Sequence, residues 1–534
     1  MDARDYLFDP TPNARAGTLC GLSAGAALRS RVERGAQDPA LVDGPVRLSW
    51  AALAAQVDAL ANALALDGVS PGDVVGLYLP NGRAFVVAHL ALASLGAVTL
   101  PLHVAYRERE LAYLLDVTGA SSAFAADAAC ADRIVSCGVH NVTVATAAAA
   151  AGFECLDDAL SRGAGAAPAR PDRSPEEPLA LIATSATESS RPKLCIHTHD
   201  GLLSNAVEVA RLAGATPSDR LLSASAYTHL FGLLAVHVAL VGGCTLVAGP
   251  RFDARTYLAF LREARPTMFW AAPPVLRDLV ALDPAAAGVA RMREVRTGGS
   301  AIGADSVAAV RAALGDEVVV HWGMSEVGAG IMTRHGERAD DLPGTIGTPI
   351  AGADIVVAGA DGRPCPPGES GELWYRRADM LRGYYRDSAA TGAALAHDGW
   401  LRTGDLARLD AAGRVFFVGR AKDIVNRGGL KISAFELESL LSEHPAVRQV
   451  AVVAVPDERL GERAAAVVAL HDGHTFTIED ARAFLEARGI AKFKWPERWH
   501  VVAALPTTAT NKVAKAAVRA LVAELTSTER AVRA

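Results

Sequence analysis

Ten residues, TSATESSRPK from Thr184 to Lys193, combine five hydroxyls with a terminal Pro-Lys. Thr184, Ser185, Thr187, Ser189 and Ser190 can donate to phosphate oxygens, and Lys193 adds a positive point charge. This is no Walker loop, which needs G-x-x-x-x-G-K-[ST] ahead of a helix. On residue types alone, a polar hairpin loop is the competing reading. In HWGMSE, Glu326 follows the strand-like run EVVVHWG and can hold Mg²⁺ through oxygen, while Trp322 offers a flat face to a base. A core aromatic and a solvated carboxylate account for the same string. Asp405, within GWLRTGDLARLD, can accept both ribose hydroxyls or serve as a turn aspartate. GRAKDIVNRGGLKIS is glycine-rich and basic, and Lys512 lies in the polar stretch LPTTATNKVAK, where a solvated lysine is the ordinary reading.

These residues need elements to position them. PLALIA and LCIHTH, on either side of the hydroxyl-rich stretch, predict buried strands. RLSWAALAAQVDALANALALDGV has helical apolar spacing, and DVVGLYLP is a short apolar run closed by a turn. AFVVAHLALASLGAVTLPLH reads as helix, Gly96, strand. LLAVHVALVGGCTLVAG is interrupted by His237 and Gly242-Gly243 and is short for a membrane span, so it predicts buried helix, turn and strand. Strands alternating with helices imply parallel sheets covered on both faces. The composition shifts near residue 420, where a smaller lobe begins. Thr477, with Asp480 three residues on, predicts a helix cap there.

At 534 residues the chain exceeds one ordinary core. Its 51% hydrophobic and 21% charged residues are a globular profile, and a net charge of -6 with mixed signs gives no footprint for nucleic acid or a membrane surface. Seven cysteines without a C-x-x-C pair, and a start with no basic-then-apolar segment, point to reduced thiols in a cytoplasmic protein.

The order and spacing of these stretches resemble the adenylate-forming superfamily of acyl- and aryl-CoA synthetases, aryl-acid adenylating enzymes, luciferases and peptide-synthetase adenylation domains. GELWYRRADMLRGYY, DGWLRTGDLARLD, GRAKDIVNRGGLKISAFELE and AKFKWPERWHVVAALP carry the resemblance, which covers nearly the whole chain and feels closest to aryl- or alicyclic-acid CoA ligases. It implies an α/β fold: a large N-terminal lobe of parallel-sheet subdomains plus a distorted β-barrel (1–421), and a small α+β lobe (422–534) joined by a hinge. The family's phosphate loop reads roughly T-S-G-T-T-G-x-P-K-G. Here Ala186 and Ser189 stand at glycine positions, Glu188 at a threonine and Leu194 at the final glycine, with one residue extra before Pro192.

By resemblance, Thr184, Ser185, Thr187 and Lys193 contact the ATP phosphates. Gly298, Gly299 and Ser300 form the adenine turn, with Trp322 and Gly323 beside it. Ser325 takes a threonine's place near phosphate, Glu326 is the Mg²⁺ ligand, Asp405 and Arg420 are the ribose pair, and Lys512 bridges acid and α-phosphate. Lys422 falls on the hinge, and Gly428, Gly429 and Leu430 line the thiol's approach. His229 matches a histidine tied to gating between half-reactions, and Tyr227, Phe231 and Leu233 suggest an apolar acid pocket. Ala226-Tyr227 replaces the Phe-Asp pair of amino-acid-activating domains, and Leu230 replaces the Asn of hydroxybenzoate-adenylating relatives. The implied chemistry is ATP-dependent activation of an aryl, alicyclic or medium-chain acid, then transfer to CoA. Loading of a carrier-protein phosphopantetheine, a nucleotide-binding pseudoenzyme with a degenerate loop, and luciferase-type oxygenation are the rivals.

Overall fold

The computed structural model describes residues 19–146, 153–165, 173–184, 191–300, 302–396, 398–507 and 513–533, with side chains to 526. The helical spacing after Arg47 becomes the helix Trp50–Leu66, whose first turn is capped by the Ser49 hydroxyl accepting from the Ala52 amide. The apolar run beyond it becomes the strand Val74–Tyr78, buried at every position because it pairs in parallel with Val98–Pro101 on one side and Ser122–Ala125 on the other. Gly96 ends the helix Arg83–Leu95 at φ 87°, a left-handed value that glycine adopts without strain.

These strands belong to a seven-stranded sheet that is parallel except at one edge. There Pro178–Ala183 and Leu194–Thr198 pair antiparallel, and they are the two strands that flank the hydroxyl-rich stretch in the sequence. The outer strand is not left bare. Ile196 donates to Gly383 O (3.0 Å), Arg382 to Ile196 O (2.8 Å) and Tyr385 to Leu194 O (2.8 Å), which covers the edge.

A thirteen-stranded sheet forms the rest of the large lobe. Its parallel part holds Thr245–Ala248, Arg220–Ser223, Met268–Trp270, Met292–Gly298 and Gly315–Met324. The strands from Gly328–Met332 to Leu401–Leu409 and Val415–Arg420 continue this sheet as an antiparallel extension. The apolar segment near residue 240 is the buried helix Leu230–Gly242, the left-handed Gly243 and the buried strand Thr245–Ala248. Among the described residues no helix is long and apolar enough to cross a membrane, and all seven cysteines are free thiols.

A short 3-10 turn, Ala421–Asp423, leads from the large sheet into a five-stranded sheet with its own core, including Val425, Ile432, Leu437, Val452, Val468 and Leu485. Ile424–Arg427 and Leu430–Ser433 form a hairpin whose two turn residues, Gly428 (φ 57°) and Gly429 (φ 89°), are both left-handed. A two-residue turn of this hand matches the twist of its strands and selects glycine. The Thr477 cap is present, with Asp480 returning the hydrogen bond.

Candidate active site

The carboxyl ends of the parallel strands in the large sheet open onto a cavity of about 1850 Å³, closed on its far side by the small lobe. Open α/β sheets present ligand sites at such ends. Ala224, Ala248, Ala272, Gly298 and Trp322 line it at or just past successive strand ends, and Gln449, Val450, Lys515 and Arg519 line it from the small lobe.

One end is polar. Asp405 and Arg420 are directly paired across antiparallel strands, and Arg420 Nε lies 3.2 Å from Asp405 Oδ1. Trp322 Nε1 donates to Asp405 Oδ2 at 2.8 Å. Burial pushes the Asp405 carboxyl above its ordinary range, and Arg420 and Trp322 oppose that shift. Asp405 and Arg420, the two residues expected at the ribose, are therefore in contact, and the Trp322 indole ties Asp405 to the neighbouring wall of the cavity. Gly298 and Gly299 reach the cavity with Ser300. A Cβ on Gly298 would sit 2.2 Å from His321 O, so only glycine fits where these two strands meet.

Glu326 is 7% exposed on the same wall. Burial raises its pKa, opposed by the Tyr384 hydroxyl and by Lys193. Tyr384 Oη donates to Glu326 Oε1 at 2.8 Å, and Lys193 Nζ lies 4.3 Å from the Tyr384 ring centroid. Thr184 and Lys193 close the base of the hairpin loop: Thr184 N donates to Lys193 O (2.8 Å), and Lys193 N to Thr184 Oγ1 (3.2 Å). Ser325, which lines the cavity beside Glu326, has its carbonyl fixed by His197 Nε2 at 2.7 Å. Asn205 pins the turn beyond by exchanging two 2.9 Å hydrogen bonds with the Ala329 backbone. No group of three or more His, Cys, Asp or Glu side chains suited to a metal occurs among the described residues. One carboxylate with a lysine nearby fits a Mg²⁺ that arrives with a polyphosphate and takes most of its ligands from phosphate and water. Glu326 would hold it there.

The other end is aromatic. His229 stands at the N-terminal boundary of the helix Leu230–Gly242, and Leu230, Phe231 and Leu234 face the cavity from its first turns. Phe231 stacks on Trp270 (5.7 Å between centroids, 4° between planes) and meets His321 edge-on at 5.2 Å. Behind this wall Arg296 lies over Trp270 and pairs with Glu294 at 2.9 Å, and both are fully buried. Burial alone would raise the Glu294 carboxyl, but Arg296 and His335 hold it down to about 2. His229 shares its wall with His103, their rings 6.2 Å apart.

Two expectations need correction. Tyr227 and Leu233 are absent from the cavity wall. Tyr227 precedes the helix and packs edge-on against Phe85, fully buried, and Leu233 lies on the helix's core side. Helical spacing explains this, since 230, 231 and 234 share a face that 233 does not. Gly428, Gly429 and Leu430 also lie off the cavity wall in this arrangement of the lobes, which instead presents Val513, Lys515 and Arg519 to the cavity. Lys422 lines the cavity from the turn Ala421–Asp423. Ser185, Thr187 and Lys512, with the substituted loop positions Ala186, Glu188 and Ser189, lie outside the described residues.

Sequence reasoning missed Tyr384, His197, Asn205, His103, Trp270 and His321. The Tyr384 segment was visible within RADMLRGYY, but nothing in the string marks which tyrosine turns toward Glu326. His197 and Asn205 bond backbone carbonyls and amides from distant strands, a role that leaves no local signal.

The chain matches the AMP-binding enzyme family over residues 28–385 and the AMP-binding enzyme C-terminal domain over residues 436–512. A salicylyl-CoA synthase / salicylate adenylyltransferase from a Streptomyces species is 33% identical over 532 residues, 95% of each chain. The medium-chain fatty-acid–CoA ligase of Escherichia coli K12 is 30% identical, covering 88% of this chain and 85% of its own. Among solved structures, ATP-bound MatB from Rhodopseudomonas palustris superposes with a TM-score of 0.84 at 27% identity, over 94% of this chain and 99% of that one.

Proposed function

The chain belongs to the AMP-binding enzyme family, and from that premise we propose that it activates a planar aryl carboxylic acid and passes the acyl group to CoA. As an AMP-forming acyl-CoA ligase it uses ATP, Mg²⁺ and CoA. The acid attacks the α-phosphorus of ATP, pyrophosphate leaves, and the CoA thiol then displaces AMP from the acyl-adenylate. Two anions meet in the first step, so the site must supply positive charge and hold the leaving group in line. Lys193 and Lys512 have that role in our reading. The Asp405–Arg420 pair orients the ribose, and the carboxylate of Glu326 takes the metal.

The choice of an aryl acid rests on Phe231, which lines the cavity beside Leu230 and Leu234 and is held rigid from behind by its near-parallel stack on the buried Trp270. Flat walls favour flat ligands through offset ring contacts. Relatives named for salicylate and ferulate point the same way, whereas the medium-chain relative marks the nearest alternative. No carboxylate stands at Ala226 or Tyr227 to receive an α-ammonium group.

A panel of benzoates, cinnamates, alicyclic acids, medium-chain acids and α-amino acids, assayed for acid-dependent pyrophosphate release with CoA as acceptor, tests this. Aryl acids should exceed medium-chain acids by about tenfold in kcat/KM, the scale of a few well-placed apolar contacts. A medium-chain acid at the top of the ranking would overturn the aryl assignment. A parallel arm with a phosphopantetheinylated carrier protein should give less thioester than CoA.

A further inference from the structure

We propose that Tyr384 is a positioning residue that keeps Lys193 and Glu326 from neutralising one another before nucleotide binds. The phenol donates to Glu326 Oε1 at 2.8 Å, while the ring face carries Lys193 Nζ at 4.3 Å from its centroid. Two opposite charges thus engage the same ring, one at its hydroxyl and one on its face, with no direct ion pair between them.

Without that ring the ammonium and the nearly buried carboxylate would attract at short range in a poorly solvated site. A direct pair would occupy both groups, and an incoming polyphosphate would have to break it. The arrangement with Tyr384 leaves each group a weaker partner. A cation over an aromatic face is held loosely enough to be surrendered to phosphate. The hydroxyl fixes one carboxylate oxygen and leaves Oε2 for a metal.

Tyr384 is itself fixed against both groups. Its backbone amide donates to Thr391 Oγ1 at 2.9 Å. Leu381 N donates to Glu326 O, and Tyr385 N to Leu194 O, the residue after Lys193. The segment therefore spans from the base of the phosphate hairpin to the backbone of Glu326.

Calorimetric titration of ATP into the full-length protein in EDTA isolates the lysine's contribution from the metal's. Tyr384→Leu should weaken metal-free ATP binding by about tenfold, the scale of one competing charge pair. Adding Glu326→Gln to it should return the affinity to within about threefold of Glu326→Gln alone, because the competitor for Lys193 is gone. Tyr384→Phe keeps the ring. It should hold metal-free affinity within about twofold, yet raise the Mg²⁺ concentration for half-maximal pyrophosphate exchange by about three- to tenfold through the lost hydroxyl. The proposal is overturned if Tyr384→Leu binds metal-free ATP like wild type. It is equally overturned if its loss persists beside Glu326→Gln, or if Tyr384→Phe matches Tyr384→Leu.

Discussion

The two ends of the cavity are built on opposite plans. At the nucleotide end the charged side chains reach the surface of the cavity and contact one another there: Arg420 with Asp405, Asp405 with Trp322, Tyr384 with Glu326 and Lys193. At the acid end the charged pair, Glu294 and Arg296, is sealed behind Trp270, and Leu230, Phe231 and Leu234 stand between it and the cavity. The first plan suits a ligand that brings its own charge, since each preorganised polar group gains a stronger partner when phosphate or ribose arrives. The second selects by shape, where one methylene changes binding by only a factor of ten to a few hundred. Catalysis can thus be conserved at one end while the acid changes at the other.

The strongest way to break this division is to remove charge from the nucleotide end and ask which half-reaction fails. Lys512→Ala should lose about 10²-fold or more in acid-dependent pyrophosphate exchange, the usual size of an electrostatic contribution to a transition state. Given pre-formed acyl-adenylate, it should still make thioester. Lys422→Pro should do the reverse. Lys422 sits in the turn Ala421–Asp423, and Asp423 is tied to the small lobe through Arg519 at 3.1 Å, so a ring that fixes φ at about -65° obstructs rotation there. The measurements are exchange of labelled pyrophosphate into ATP and thioester yield from synthetic adenylate. Equal loss of both half-reactions in both folded variants would show that the small lobe does not turn between steps.

The same division explains what could be read from the sequence. At the nucleotide end, Glu326, Asp405 and Arg420 had to be particular residue types in order, and the strands and hairpin that carry them have clear apolar signatures. Trp322 was legible as an aromatic, but its hydrogen bond to Asp405 was not, because the partner lies 83 positions away. At the acid end, an apolar run from Tyr227 to Leu234 shows that something is buried, and only helix phase separates wall from core. Tyr227 was misread because it precedes the first helical turn. Arg296 and Glu294 gave no signal, since two residues apart on one strand ordinarily point the same way into solvent or core.

Acidification sharpens the comparison by attacking what lies beneath the acid end. The helix Leu230–Gly242 presents Phe231 and Leu234 to the cavity and buries His237 on its other side against His89, with 2.9 Å between their Nε2 atoms. One imidazole donates to the other, so the pair cannot bond this way with both rings charged. His199 Nδ1 accepts from the Ala24 amide at 3.2 Å and is neutral for the same reason. Burial lowers His89 to about 3 and His199 to about 4, and drives His237 well below 6.5. All three folded-state values lie below the unfolded one. Their contribution is therefore complete above pH 6.5 and is lost as pH falls through 6.5 toward 4, by about 1.4 kcal/mol per pH unit for each group. The raised carboxyls of Glu326, Asp405 and Glu438 act in the opposite sense. Urea unfolding between pH 7.5 and 5 should show a falling midpoint at constant slope. A flat midpoint would mean that these histidines accept protons while the chain stays folded.

The smallest change separates wall from core at the acid end itself. Tyr227 is fully buried, and its hydroxyl has no hydrogen-bond partner among the described residues. A buried donor without a partner loses its bonds to water and gains none in return. Tyr227→Phe deletes only that oxygen and keeps the ring against Phe85, so it should raise stability by about 0.5–1 kcal/mol, read as a higher urea midpoint. Because Tyr227 does not face the cavity, the ranking of acids in pyrophosphate release should stay the same. Phe231→Ala, four residues on and in the wall, should instead widen acceptance toward bulkier acids. If Tyr227→Phe reorders the acids, the phenol reaches the substrate and the wall extends past the helix start. If it leaves the ranking intact but lowers the midpoint, the hydroxyl has a partner in solution, and the core on that side is wetter than its packing indicates.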